Sequence, residues 1–261
     1  MTDQDNSARS FYDDGYRQEA YAPLQDQHEH SYHEQVTDFV ETYDLNLGHC
    51  LEVGCGRGGL QNIIEDYVGI DVAVTAGAHL EKPFAASSAI QLPFADNSFD
   101  ALWSIWVFEH VPNLEQALRE VRRVVKPNGL LFLAPAWRCR PWYADGYPVR
   151  PYSDFGISGK LIKASIPLRD SKIAQALTLL PKRVARQFFY QASNRPTVLK
   201  VQSLDPNYET YWMPDSDALN GIDPHEFVLW FVSRGDDCLS HPSVKEQLFG
   251  KKEGVVLRVN K

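Results

Sequence analysis

A short apolar strand that runs into a cluster of glycines constrains this chain more than anything else in it. Cys50-Leu51-Glu52-Val53 reads as the strand and Gly54-Cys55-Gly56-Arg57-Gly58-Gly59 as the turn. The spacing predicts a helix next, with Leu60, Ile63 and Ile64 turned inward, and then a second strand, Tyr67-Val68-Gly69-Ile70-Asp71, ending in an acid. Glycines placed between a strand end and a helix start let a ligand approach the backbone closely, near the positive end of the helix dipole. Gly54, Gly56 and Gly59 also satisfy the GxGxxG pattern of dinucleotide sites, in which a following acid binds a ribose. Alone, the loop is also compatible with a tight turn of no chemical consequence.

The rest of the first half repeats the alternation. Ser31 to Leu45 carries Tyr32, Val36, Phe39, Val40 and Tyr43 on one helical face. Phe99 to Val107 is a nearly continuous apolar run, as a strand covered on both faces requires. Asn113 to Val125 is the clearest helix, with Leu114, Ala117, Leu118, Val121 and Val124 as its stripe, and Lys126-Pro127-Asn128-Gly129 stops it before a buried strand at Leu130–Ala134. Strands alternating with helices imply an α/β fold, a mainly parallel sheet with helices on both faces. After Pro135 the alternation breaks. Residues 136–222 are rich in proline and aromatics, with helix-like stretches at Ser171–Leu180 and Lys182–Ala192, and read as an insertion over the C-terminal edge of the sheet. Apolar runs at Glu226–Val232 and Gly254–Val259 are expected to be strands that complete the sheet.

Further motifs narrow the choice. Leu51-Glu52-Val53-Gly54-Cys55-Gly56-Arg57-Gly58 and Gly69-Ile70-Asp71 are followed by Ile90-Gln91-Leu92-Pro93-Phe94-Ala95-Asp96-Asn97-Ser98-Phe99-Asp100 and Val107-Phe108-Glu109-His110-Val111. In order and spacing these, with the helix and stop at Ala117–Gly129, resemble the successive motifs of class I S-adenosylmethionine (SAM)-dependent methyltransferases. The resemblance covers about residues 48–135. It implies a Rossmann-like class I methyltransferase fold with a mainly parallel seven-stranded sheet, an N-terminal cap and an insertion after the fifth strand. The expected divisions are a cap or lid over 1–46, a SAM-binding core over 47–135, a substrate-binding insertion over 136–222 and C-terminal strands over 223–261.

Carried onto matching positions, the resemblance places the methionine portion of S-adenosyl-L-methionine against Gly54, Gly56 and Gly58, with Glu52 and Cys55 nearby. Asp71, followed by Val72, accepts from both ribose hydroxyls, Ser88 and Ala89 flank the adenine, and Ile105 lies under the cofactor. The family often has an acid where Ser88 stands, so adenine recognition there differs from the common pattern.

The methyl of a sulfonium is already activated, and positioning supplies much of the acceleration; an alcohol acceptor also needs a base. His110, just after the fourth strand, and Asp223 and His225, ahead of the expected strand at 226–232, are the candidate catalytic residues; packing at the strand–helix junction and a solvated loop are their alternative readings. Asp215 and Asp217 lie shortly before. His28, His30 and His33 lack trusted ligand spacing, so no metal is expected. Trp103 and Trp106 read as core of the fourth strand, with contact to the cofactor as the alternative for Trp106. The aromatic N-terminus (Phe11, Tyr12, Tyr16, Tyr21) is a candidate lid.

Composition bounds the partners. A net charge of −8 disfavours general nucleic-acid binding, and no apolar run approaches the roughly 20 residues of a membrane span. The polar N-terminus is neither a secretory signal nor a transit peptide, and four cysteines without CxxC spacing suit a reduced, cytoplasmic protein. Residues 1–46 hold eleven acids and two bases, whereas 160–200 hold nine bases and one acid, Asp170. Either these segments meet or face water, or the basic one faces an acidic acceptor or a membrane surface. Aromatic clusters at Trp142-Tyr143, Tyr147–Tyr152 and Tyr208–Trp212 beside acids suit a small polar acceptor methylated on O or N: a sugar, a nucleotide-sugar or a natural product, phosphorylated or carrier-linked if the basic segment contacts it. The alternatives are a catalytically silent SAM-binding scaffold and a nicotinamide-dependent oxidoreductase; the latter leaves the later motifs unexplained.

Overall fold

In the computed structural model, which describes residues 3–17, 30–193, 195–250 and 253–261, seven strands form one sheet. These are β1 (Cys50–Val53), β2 (Tyr67–Asp71), β3 (Phe84–Ala86), β4 (Phe99–Ile105), β5 (Val125–Ala134), β8 (Asp237–Cys238) and β9 (Val255–Arg258). They lie in the order β3-β2-β1-β4-β5-β9-β8. The first five are parallel, and β9 runs antiparallel to both β5 and β8. From β1 the chain works outward to β2 and β3, then returns to the other side of β1 for β4 and β5. The strand order therefore reverses between β1 and β4, where open α/β sheets leave a crevice beyond their carboxyl ends.

Helices α1 (Asp3–Arg17), α2 (His33–Thr42), α3 (Leu114–Val124), α4 (Ile157–Arg169), α5 (Lys172–Ser193), α6 (Pro224–Val232) and α7 (Val244–Phe249) surround the sheet, with a small hairpin of β6 (Gln202–Ser203) and β7 (Asn220–Gly221). One face of the sheet packs on α3 and α6 through Leu118, Val121, Phe227 and Trp230; the other packs on α2 through Val36, Phe39 and Val40, against Trp103 and Phe132. Asn113 caps α3 by accepting from the Gln116 amide at 3.2 Å.

Two expected elements differ. Residues 226–232 belong to helix α6, not to a strand. Phe227 to Phe231 are all buried, and a helix buried all round has the same unbroken apolar run as a central strand. The deciding signals are Asp223 as N-cap and Pro224 in the first turn. The stretch after the glycine loop is a series of turns instead of a helix, although Leu60 and Ile64 do point into the core. Gly58 holds φ +77°, and Gln61 reaches across to accept from the Glu81 amide at 2.7 Å, so the chain doubles back to β2. The loop therefore offers backbone N–H groups without a helix dipole behind them.

Candidate active site

A cavity of about 1180 Å³ lies beyond the carboxyl ends of β1, β2 and β4. Its first end is built by the glycine loop and the end of β2. Gly54 and Gly56 hold φ of +76° and +51°, the left-handed region that favours glycine. A side chain at Gly54 would also collide with Val107, whose Cγ2 lies 2.1 Å from where a Cβ would stand. Asp71, 7% exposed, fixes the loop with its own carboxylate: Oδ2 accepts from the Gly56 amide at 3.0 Å and Oδ1 from the Ala73 amide at 2.9 Å. Val72, Ser88, Ala89 and Ile105 continue this wall. Glu52 lies behind it, accepting from the Tyr67 hydroxyl at 2.5 Å; burial pushes its carboxyl up to about 8. Burial likewise keeps the Cys55 thiol protonated, raising it well above its ordinary value.

The second end is assembled from three distant segments. His110 closes the short 3-10 turn that follows β4, and its Nδ1 lies 3.1 Å from Asp217 Oδ2. The Tyr12 hydroxyl of α1 donates to that same Asp217 oxygen. The 215–220 segment is held against the turn because the Leu219 amide donates to the Glu109 carbonyl at 2.8 Å and the Asn220 side chain to the Val111 carbonyl at 2.7 Å. Burial opposes a charge on His110, but Asp217, Glu109 and Asp215 outweigh it and push the imidazole up to about 10. Burial raises Asp215, with Asp217 adding to it, whereas Asp217 is held below the carboxylate range by His110 despite its burial. Glu109, wholly buried, is pushed up to about 7. One atom each of Glu109, His110 and Asp215 lie within 4.8 Å of one another, the one such group among the described residues compact enough to take a cation.

Of the sequence-predicted site residues, Glu52, Gly54, Cys55, Gly56, Asp71, Val72, Ser88, Ala89, Ile105 and His110 all line this cavity. Gly58 does not: its free side faces Gln61 and Leu80, and Gly59 takes its place on the wall. Asp223 and His225 are also elsewhere. Asp223 caps α6 and pairs with Arg183 at 2.8 Å, and His225 is buried with Nε2 3.1 Å from Gln187. These two catalytic candidates therefore stand apart from the residues that line the cavity. The basic segment turns away too, Arg186 being paired with Glu226 at 2.7 Å, so it offers the cavity no phosphate partner. Trp103 is core, but Trp106, with φ +55°, lines the cavity, as do Tyr12, Tyr208, Asp215 and Asp217. Tyr21 and His28 lie outside the described residues.

Residues 51–133 match the family model described as "Methyltransferase domain". Sterol 4-C-methyltransferase strm-1 of Caenorhabditis elegans is 31% identical over 96 residues, 31% of this chain and 29% of that protein. The 2-methyl-6-phytyl-1,4-hydroquinone methyltransferase of Synechocystis is 38% identical over 97 residues, 32% of this chain and 30% of that protein. A longer match, 28% identical over 186 residues, covers 61% of this chain and 67% of phthiotriol/phenolphthiotriol dimycocerosates methyltransferase 1 of Mycobacterium ulcerans. The chain thus spans less than a third of the length of the first two. With the doubly wound sheet, these matches make residues 51–133 similar to methyltransferase domains, and S-adenosyl-L-methionine is the cofactor that this likeness supports. The residues fit that group: a carboxylate at the end of β2 for a diol and apolar walls at Val72, Ala89 and Ile105 for a base.

Proposed function

We propose that this chain transfers the methyl group of S-adenosyl-L-methionine to an oxygen or nitrogen of a small polar acceptor held at the His110–Asp217 end of the cavity. The observation that carries this is the continuity of the cavity: the wall formed by Asp71 and the glycine loop and the wall formed by His110, Asp215 and Asp217 enclose one space. The cofactor supplies an activated methyl on a sulfonium; the protein's part is alignment, exclusion of water and handling of a proton. Glu52, Gly54, Gly56, Asp71, Val72, Ser88, Ala89 and Ile105 are the residues proposed to hold it.

For a hydroxyl acceptor, the C–O bond forms as the S–CH₃ bond breaks, and the hydroxyl proton must leave. His110, kept protonated by Asp217, is suited to donate a hydrogen bond that orients the acceptor oxygen. Asp215, raised by burial and by Asp217, is the carboxylate suited to take the proton. A polar acceptor is favoured over sterols, after which one of the relatives is named, because Glu109, His110, Asp215 and Asp217 gather at this end.

Turnover of SAM across sugars, nucleotide-sugars and hydroxylated natural products identifies an acceptor. With it, His110→Asn and Asp215→Asn should each lower kcat by about 10²-fold or more, while SAM affinity by calorimetry stays within about threefold of wild type. Unchanged kcat in both variants would overturn the assignment of this end to the chemistry.

A further inference from the structure

Helices α4 and α5 carry a run of large apolar side chains that face away from the protein. On α5, Arg183 and Arg186 reach inward to Asp223 and Glu226 on α6, and Gln187 is buried against His225. On the opposite side, Ile173, Leu177, Val184 and Phe188 follow one another at helical spacing and are exposed, Leu177 to 73% and Phe188 to 64%. Helix α4 continues this surface with Ile157, Leu161 and Leu168, the first 82% exposed. Scattered apolar residues on a surface need no explanation, but these seven exposed large apolar side chains on two consecutive helices, four of them in one stripe on α5, mark a candidate interaction site. Among the described residues nothing covers it.

Charge identifies what fits there. Lys160, Lys172 and Lys182 are exposed on the same two helices, and the 160–200 segment carries nine bases and one acid in a chain of net charge −8. Exposed apolar side chains with lysines on the same two helices suit the boundary between anionic headgroups and acyl chains. A second copy would bring a like-charged basic segment against this one, which disfavours self-association through the same face. No helix among the described residues is long and apolar enough to cross a membrane, so such contact is in the plane of the surface. We infer that the α4–α5 hairpin docks the protein on a bilayer surface rich in anionic lipid, with the apolar side chains among the acyl chains and the lysines at the headgroups. Docking belongs to this surface and does not depend on which acceptor the cavity takes.

Co-sedimentation of the full chain with vesicles tests this. The wild type should pellet with phosphatidylcholine vesicles containing phosphatidylglycerol, much less with phosphatidylcholine alone, and less as salt is raised. Leu177→Glu with Phe188→Glu should reduce binding at least about tenfold, and Lys172→Glu and Lys182→Glu about fivefold each or more. SAM affinity and the thermal midpoint serve as controls for folding, since none of these residues lines the cavity. Failure of the wild type to bind the anionic vesicles overturns the inference, as does undiminished binding by the folded Leu177→Glu/Phe188→Glu variant. A dimer in sedimentation equilibrium that this variant splits, without vesicle binding, would assign the face to a second copy instead.

Discussion

Asp71 fixes the glycine loop and is also the side chain proposed to hold the ligand's diol. Its two oxygens accept from Gly56 and Ala73, which ties the glycine loop to the end of β2, yet a carboxylate has lone pairs left for a diol at the cavity wall. Glu52 and His110 are buried groups whose titration is displaced upward, from 4.5 to about 8 and from 6.5 to about 10. The cause for Glu52 is loss of solvent. For His110 burial acts the other way, and Asp217 and its neighbours overcome it. In both cases the folded chain keeps a proton that the unfolded chain has lost, so stability falls as pH rises through each window. Glu52 contributes fully below 4.5 and loses its contribution as pH climbs through about 8; His110 contributes fully below 6.5 and loses it through about 10. Unfolding free energy from urea titrations at a series of pH values should therefore show Glu52→Gln flattening the lower of these overlapping windows and His110→Asn the upper. A variant curve running parallel to wild type would mean that the replaced group titrates alike in both states.

At the scale of elements, helix α1 is the piece that joins the two ends of the cavity. The Arg9 guanidinium donates to the Val72 carbonyl at 2.9 Å, and Asp13 accepts from the Thr75 amide at 3.0 Å and its hydroxyl at 2.7 Å, which fastens the helix beside β2. One turn away Tyr12 reaches Asp217, and Phe11 lies 5.5 Å from the ring of Tyr208. The helix thus lies over the cavity with one set of contacts at each end, the arrangement expected of a lid that limits release. Asp13→Ala removes the Thr75 half of the fastening at that end, leaving the Arg9 bond, without touching the lining. It should speed SAM dissociation about fivefold, the worth of roughly 1 kcal/mol for a partly exposed hydrogen-bonded carboxylate, in stopped-flow release measurements. An unchanged dissociation rate would show that α1 does not gate this site. Only part of this element was legible in the sequence: the aromatic stretch suggested a covering segment, but nothing local specified that Asp13 would meet Thr75.

Across the whole molecule, what could be read in advance tracks how local the encoding is. Glu52, Gly54, Gly56 and Asp71 stand within one strand–turn–strand unit, so a resemblance carried by local motifs is enough to place them together on one wall of the cavity. The opposite wall needs Tyr12, His110 and Asp217, the first and the last separated by 205 positions in sequence, and no periodicity connects them. Asp223 and His225 misled for a related reason. A polar pair ahead of an apolar run resembles an active-site rim, but that run is a buried helix, and the pair is used to start it and to anchor α5. Asp223 accepts from the His225 amide at 2.9 Å and from Arg183, which is itself largely buried. Asp223→Ala should thus cost about 2–4 kcal/mol, from the lost cap and from a guanidinium left without its carboxylate. The cost should appear as a lower thermal midpoint. Below that midpoint, SAM affinity and kcat should match wild type, because neither Asp223 nor Arg183 lines the cavity. A tenfold fall in kcat with the folded fraction intact would return Asp223 to the catalytic group and require α6 to move toward the cavity during turnover.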